Sequence, residues 1–116
     1  GAQARQESAR LLTQLLTQYD LQDQQVVLMG DLNAEPDDEP LQLLRTHFED
    51  SYTTAFHPPY GPVGTWCGFD TSLAATKRID YVLSKNLTAT HHRAIDDRRK
   101  NNLYPSDHLP VLVYFQ

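Results

Sequence analysis

The spacing of apolar residues near the start of the chain predicts an amphipathic helix over residues 3–19. Polar and charged residues occupy the remaining positions, so the predicted helix has a single apolar stripe. The stripe consists of Leu11, Leu12, Leu15, Leu16 and Tyr19.

A short uninterrupted apolar run over residues 26–29 predicts a strand. Such a run is typical of a strand that is buried on both faces, as in a sheet covered by helices. The run stops at Gly30 and Asp31, where polar residues begin. We therefore expect polar side chains at the carboxyl end of a buried strand.

Residues 38–48 predict a second helix. Asp37 or Asp38 can cap it, and a proline is tolerated in the first turn of a helix. Its apolar stripe consists of Leu41, Leu44 and Phe48. Residues 56–76 hold half of the glycine and proline of the chain, which predicts a long surface loop.

The second half of the chain predicts three strands. Apolar and polar residues alternate over residues 78–84, and residues 87–95 predict a neighbouring strand with residues 85–86 at the turn. Residues 96–107 are polar and predict a loop, and residues 111–115 predict the last strand. This order of helices and strands, in a chain of 116 residues, predicts a single α/β (α+β) domain.

Composition narrows the classes of function. The formal net charge is −5, whereas proteins that grip the nucleic-acid backbone usually carry a basic face. The single cysteine, Cys67, excludes an intramolecular disulfide, and no apolar run approaches the about 20 residues of a membrane span. The sequence does not fix the compartment.

Asp31 and Asn33 follow the predicted buried strand, and ligands of open α/β sheets bind at carboxyl ends of strands. A carboxylate there can accept a proton from water, and an amide can donate to a phosphoryl oxygen. A simple turn after the strand is the alternative, since Asp and Asn are common turn formers. A calcium loop starting at Asp31 is excluded, because its sixth and twelfth positions hold Pro36 and Gln42.

Asp80 shares a strand face with Val82, and a carboxylate facing a packed layer needs a partner. His108 is a natural partner, because a carboxylate at one imidazole nitrogen fixes the tautomer and stabilises the charged ring. An exposed Asp80 on an edge strand is the alternative. Asp107 suits a hard cation such as Mg²⁺, which prefers oxygen ligands.

The glycine- and proline-rich loop contains Thr65 and Trp66, and an aromatic ring there can line a substrate pocket or anchor the loop on the core. Cys67 is interpreted as structural. One group of histidine, arginine and lysine residues forms either a solvated surface or a patch that attracts phosphate. It consists of His91, His92, Arg98, Arg99 and Lys100.

In combination, these segments resemble the endonuclease/exonuclease/phosphatase superfamily of metal-dependent phosphoesterases. The resemblance rests on four segments in this order, and it covers nearly the whole chain. They are residues 26–33 (VVLMGDLN), residues 65–66 (TW), residues 77–82 (KRIDYV) and residues 104–110 (YPSDHLP).

The resemblance implies a four-layered αββα sandwich, of which this chain would form the C-terminal half, mainly one β-sheet with flanking helices. It also implies roles for individual residues. Asp31 would activate the attacking water, and Asn33 would hold the scissile phosphate. Asp80 would orient His108, which would bind the phosphoryl group.

The same resemblance implies a Mg²⁺ or Mn²⁺ cofactor contacted by Asp107, with Asp31 as a further ligand, and a substrate rim formed by Thr65 and Trp66. The family's principal metal-binding Glu has no counterpart in this chain, so we expect the chain alone to be inactive. A small phosphoester is the expected substrate, in preference to duplex DNA.

The missing N-terminal half also predicts an uncovered sheet face and self-association of the chain. A catalytically silent binding module, or a purely structural half-domain of the same fold, remains the alternative to an enzyme.

Overall fold

The computed structural model describes residues 1–116, which form three helices and five strands. Most elements lie close to their predicted positions. In chain order they are α1 (Ala2–Gln18), β1 (Val26–Asp31), α2 (Glu39–Leu44), β2 (Glu49–Asp50), α3 (Ser51–Thr54), β3 (Asp80–Lys85), β4 (Ala89–Ala94) and β5 (Val111–Phe115).

The strands form two antiparallel sheets, one with the order β1-β3-β2 and one with β4 and β5. The α+β prediction is therefore confirmed. The predicted pairing of β4 with β3 is wrong, since β3 already has β1 on one side and β2 on the other. Asn86 lies at the turn between β3 and β4 with a φ of 58°. Its side-chain amide donates to the carbonyl oxygens of Gln22 and Gln24.

The main core lies between α1, α2 and one face of the first sheet. Val26 and Leu28 of β1 pack against this core. Removing such apolar area from water stabilises the fold by about 25 cal/mol per Å². The buried members are Ala9, Leu16, Ala34, Leu41, Leu44, Phe48, Tyr81 and Leu83.

The opposite face of β1 is uncovered. Val27 is 43% exposed and Met29 is 72% exposed. The prediction that this strand is buried on both faces is therefore wrong for this chain. The residues of β3 opposite these two side chains, Ser84 and Val82, are buried, so the cover over this face of the sheet does not extend to β1. The exposed apolar side chains on this face belong to β1, and the predicted self-association through it stays a prediction.

The second helix is shorter than predicted. α2 ends at Leu44 rather than Phe48, because the chain must become extended at Glu49 and Asp50 to pair with Ser84 and Leu83 of β3. Phe48 remains buried in the core.

Residues 56–76 contain no helix or named strand, as predicted. Isolated bridges hold this loop in place, joining Tyr60 to Arg93 and Trp66 to both Lys77 and His108. The loop therefore contacts β4 through Tyr60, and Oγ1 of Thr65 accepts from the amide of Asp80 at the start of β3. A membrane-crossing helix is absent from the structure.

Candidate active site

Two carboxylates meet at one edge of the first sheet. Asp31 ends β1 and Asp80 begins β3, and the antiparallel register places them directly opposite each other. The amide of Leu32 donates to the carbonyl oxygen of Ile79 at 2.9 Å, which continues the ladder one residue further. Strand pairing thus brings together two residues that are far apart in sequence.

His108 lies against both carboxylates. Its Nδ1 is 2.8 Å from Oδ2 of Asp80, and its Nε2 is 3.8 Å from Oδ2 of Asp31. The first distance is a hydrogen bond and the second is too long for one. The side chains of His108 and Asp31 are 31% and 46% exposed, so a ligand can reach both.

The electrostatics of this group favour a charged imidazole. The hydrogen bond that His108 donates to Asp80 raises the pKa of His108 above its usual value, and the negative charges of Asp80, Asp31 and Asp107 act in the same direction. Partial burial opposes them by lowering the pKa. With Nδ1 donating to Asp80, a protonated ring keeps its Nε2–H free for an acceptor on the Asp31 side.

A tight turn positions Asn33 beside Asp31. Asn33 has a φ of 50°, a left-handed conformation that Asn tolerates better than most residues. Its backbone amide donates to Oδ1 of Asp31 at 2.8 Å. The buried Tyr81 hydroxyl lies 2.7 Å from the Ala34 oxygen and 2.9 Å from the Arg78 oxygen. It therefore links this turn to the start of β3, and burial raises the pKa of Tyr81.

Thr65 does not lie at a substrate rim, and this prediction is wrong. The residue is fully buried, at 0% exposure, and its Oγ1 accepts hydrogen bonds from the amides of Ile79 and Asp80, both at 3.0 Å. Its carbonyl oxygen accepts from the amide of Leu109 at 2.7 Å. Thr65 thus holds the backbone on both sides of the Asp80–His108 pair.

Gly64 permits this close packing. A Cβ added at Gly64 would lie 2.5 Å from the amide nitrogens of Thr76 and Lys77, which is closer than atoms can approach. Trp66 is 41% exposed beside this contact, and Nζ of Lys77 lies 5.6 Å from its ring centre. Its proposed contact with substrate stays a prediction.

The loop before β5 is held by its backbone. The carbonyl oxygen of Asp107 accepts from the amides of Cys67 and Gly68, and Sγ of the buried Cys67 lies 3.2 Å from the same oxygen. This packing agrees with a structural role for Cys67. The amide of His108 also donates to Oγ of Ser106 at 3.1 Å.

The side chains that come close enough to share a metal ion are Asp31, Asp80 and His108, whose ligand atoms all lie within 4.8 Å of one another. Asp107, the predicted metal contact, is not a member of this group. Its carboxylate is near enough to raise the pKa of His108, and its metal contact stays a prediction.

A buried ion pair supports the start of β3 and was not predicted. Nη2 of Arg78 lies 2.8 Å from Oδ2 of Asp50, with side chains 5% and 1% exposed. The guanidinium also lies over the rings of Tyr52 and Tyr81, at 4.3 and 4.9 Å. Asp50 also caps α3, because its carboxylate accepts from the backbone amide of Tyr52. An Asp that can cap a helix is the one feature of this pair that a local sequence pattern records.

Comparison with family models matches residues 1–108 to the Endonuclease/Exonuclease/phosphatase family. A conserved protein of unknown function from Enterococcus faecalis V583 is 31% identical, with a TM-score of 0.81 over 100% of this chain and 45% of that one. A comparison with curated proteins gives no match.

Two structures from Bacteroides thetaiotaomicron show the same fold. One is an endonuclease/exonuclease/phosphatase family protein, 24% identical, with a TM-score of 0.84 over 99% of this chain and 45% of that one. The other is the mannosyl-6-phosphatase of strain VPI-5482, 23% identical, with a TM-score of 0.84 over 100% and 47%. The chain thus spans less than half the length of these solved structures.

Proposed function

Because this chain belongs to the endonuclease/exonuclease/phosphatase family, we propose that it supplies the catalytic residues for hydrolysis of phosphate esters by direct attack of water. One observation carries the proposal. Asp31, Asp80 and His108 come from three separate segments, yet their polar atoms converge within 4.8 Å at an accessible edge of the sheet. A turn or a solvated strand end does not require such convergence.

Asp31 is the proposed base. Its Oδ1 accepts a hydrogen bond from the backbone amide of Asn33, while its Oδ2 lies 3.8 Å from Nε2 of His108. A water in this region can pass its proton to the carboxylate as it attacks phosphorus. The side-chain amide of Asn33, on an exposed residue of the adjoining turn, is the proposed donor to a phosphoryl oxygen.

His108 is the proposed group that stabilises negative charge on the phosphoryl oxygens. Asp80 fixes its ring and favours the protonated form, which leaves Nε2–H available as a donor. A donor that is already oriented toward developing charge lowers the barrier without further reorganisation. Asp80 therefore acts through His108 rather than on the substrate.

The carboxylates fit a hard divalent cation, Mg²⁺ or Mn²⁺. Mg²⁺ usually keeps several waters and binds through one or two carboxylates together with phosphate oxygens. Asp80 is engaged with His108, and Asp31 is the proposed base. Asp107 is therefore the proposed contact of the ion, directly or through water, and Asp31 would contact it through a bound water. When bound, such an ion neutralises phosphate charge and assists the leaving oxygen.

The proposed substrate is a small phosphomonoester or phosphodiester rather than duplex DNA. The formal net charge of −5 favours this choice, since backbone binding to nucleic acid depends on basic surfaces. The identity of the ester depends on side chains that this chain does not place at the site.

The test uses the complete protein that carries this chain, with Mg²⁺ and a panel of phosphoesters. The panel includes a sugar 6-phosphate, because one solved relative is a mannosyl-6-phosphatase. We expect Asp31→Asn to lower kcat by about 10²–10⁴-fold, because the amide cannot act as a base while its oxygen still accepts from Asn33. Asp23→Asn, at an exposed site away from the strand end, serves as the matched control.

Undiminished hydrolysis by Asp31→Asn would show that the assigned base is wrong. Equal rates with Mg²⁺ and with EDTA would contradict the proposed metal dependence.

A catalytically silent structural or binding role is the second candidate. The exposed face of β1, with Val27 43% and Met29 72% exposed, favours it because adjacent exposed apolar side chains are typical of a contact surface. Absence of turnover on the whole panel by the complete protein, with the fold intact, would support this role over hydrolysis.

A further inference from the structure

A second polar pocket lies on the outer side of β4, away from the candidate active site. Residues 56–60 run beside this strand and are fixed to it by backbone hydrogen bonds. The amide of His57 donates to the Thr90 oxygen, and the amide of Tyr60 donates to the His92 oxygen, both at 3.0 Å. The segment therefore forms a wall held by the strand itself.

Gly61 allows this wall to approach the strand. It has a φ of 91°, and a Cβ at this position would lie 2.0 Å from the carbonyl oxygen of Ala94. The amide of Ala94, the last residue of β4, donates to the carbonyl oxygen of Tyr60 at 3.0 Å and so also holds the segment against the strand. The walls of the pocket are thus set by the backbone.

The pocket has a volume of about 300 Å³ and contains no carboxylate, although the chain as a whole is acidic. That volume is at the lower end of the range for small-ligand sites. Its lining is basic and aromatic. The six lining residues are His57, Pro58, Tyr60, His91, His92 and Arg93.

Arg93 provides the fixed positive charge. Its guanidinium lies 5.0 Å from the ring centre of Tyr60, and it forms no hydrogen bond or ion pair within the chain. Arginine presents donors in a planar fork that matches phosphate and carboxylate oxygens. Stacking on Tyr60 orders this fork before a ligand arrives, which lowers the entropy lost on binding.

Two of the three histidines that line the pocket stack on each other. The rings of His57 and His91 stack with their centres 4.3 Å apart and an angle of 21° between their planes. Nδ1 of His91 lies 3.0 Å from Oγ1 of Thr90, so Nε2 is the nitrogen left free for a ligand. A cation would be repelled by Arg93, whereas an anion would be attracted by it. The free ring nitrogens of His57 and His91 donate N–H when the ring is protonated and accept from a P–OH group when it is neutral.

We propose that this pocket binds a phosphate group, either as inorganic phosphate or on a small phosphate ester. Arg93 provides the paired donors, and the free ring nitrogens of His57 and His91 flank them, as donors to phosphate oxygens or as acceptors from a P–OH group. The site is distinct from the candidate active site, since none of Asp31, Asp80 and His108 lines it. It does not depend on whether the protein hydrolyses phosphate esters.

The test is a titration of the ¹⁵N-labelled complete protein with inorganic phosphate, followed by NMR at fixed pH and ionic strength with EDTA present. We expect saturable shifts of the signals of His57, His91 and Arg93. Arg93→Gln should weaken the fitted phosphate affinity by tenfold or more, about the contribution of one charge-assisted hydrogen bond.

Arg98→Gln is the matched control. Arg98 also lies 5.0 Å from a tyrosine ring, that of Tyr104, but its donors already contact the Thr71 and Asn102 oxygens. Both substitutions remove one positive charge, so general attraction of anions would weaken equally in the two variants. We expect Arg98→Gln to bind phosphate as the unchanged protein does.

His91→Gln serves as a second variant if Arg93→Gln does not fold, and it should also weaken binding. Equal losses in Arg93→Gln and Arg98→Gln would overturn the proposal, as would shifts that do not saturate. Shifts confined to residues around His108 would place phosphate in the candidate active site alone and would also overturn it.

Discussion

Nδ1 of His108 lies 2.8 Å from Oδ2 of Asp80, although the two residues are 28 positions apart in the chain. The contact joins the loop before β5 to the first residue of β3, and it sets which imidazole nitrogen faces the opening beside Asp31. The properties of His108 should therefore depend on Asp80 in a way that pH reveals.

We expect Asp80→Asn to lower the pKa of His108, which the Asp80 hydrogen bond raises above 6.5 in the unchanged protein. A raised pKa means that the folded protein holds the proton more tightly than the unfolded chain does. Its contribution to stability is thus fully present below pH 6.5 and is lost as pH rises through the raised pKa. Asp80→Asn should therefore reduce the free energy of unfolding more at about pH 6 than at about pH 9.

NMR titration of the His108 ring and urea unfolding at both pH values check this expectation, with EDTA present throughout. His47→Gln is the control, because His47 is exposed and has no carboxylate partner. The interpretation would be wrong if Asp80→Asn left the pKa of His108 unchanged, or if its effect on stability were the same at both pH values.

Thr65 offers a test of how the site is held. Thr65→Val keeps the shape of the side chain but removes the oxygen that accepts from Ile79 and Asp80, and each buried amide left unpaired costs roughly 1–3 kcal/mol. Thr65→Ser keeps the oxygen and loses one methyl group, about 1 kcal/mol. Urea unfolding should therefore show a larger loss for valine.

The same pair of variants separates positioning from general stability. In the complete protein we expect Thr65→Ser to keep most of the activity, while Thr65→Val lowers kcat more than it raises KM, because it releases the backbone of Asp80. Equal stability and activity in the two variants would show that the hydroxyl is not needed.

The Arg78–Asp50 pair predicts strong coupling. Either Arg78→Met or Asp50→Asn leaves one buried charge unpaired, which costs roughly 3–5 kcal/mol in the free energy of unfolding. The double variant removes both charges and should lose clearly less than the sum of the two single losses. A double-mutant cycle by urea unfolding measures this coupling.

The exposed Glu7–Arg10 pair is the matched control, since its side chains are 59% and 53% exposed. Glu7→Gln should change stability by less than about 1 kcal/mol. Additive losses at Arg78 and Asp50 would mean that the two charges act independently.

Much of the fold could be predicted from the sequence, because local patterns determine it. The periodic leucines of α1 and the alternation in β3 identify these elements within a few residues. The apolar run of β1 also places Asp31 at the carboxyl end of a strand, where the structure has it. The pairing of Asp80 with His108 was also predicted, since a carboxylate on a strand that faces a packed layer needs a partner.

Other features depend on contacts that no local pattern records. β4 pairs with β5 because both edges of β3 are occupied, and a sequence does not show which edges remain free. The family resemblance implies a rim position for Thr65, yet Gly64 lets this residue pack against the start of β3. The Arg78–Asp50 pair joins residues 28 positions apart.

The uncovered face of β1 predicts self-association of the 116-residue chain. Val27 and Met29 are exposed on neighbouring positions of one face, and β1 pairs on one side only, which leaves its other edge free to pair with another chain. We expect Met29→Asp to shift the chain toward monomer in sedimentation velocity, because it places a charge where apolar surfaces would meet.

Leu73→Asp is the control, since Leu73 is 73% exposed and Met29 is 72% exposed, but Leu73 lies in the long loop. The two variants remove similar exposed apolar side chains and add the same charge, so a general gain in solubility would affect both equally. A selective effect of Met29→Asp would assign the association to β1. If the unchanged chain sediments as a monomer at high concentration, self-association is contradicted. Val27 and Met29 would then remain exposed to water in the monomer.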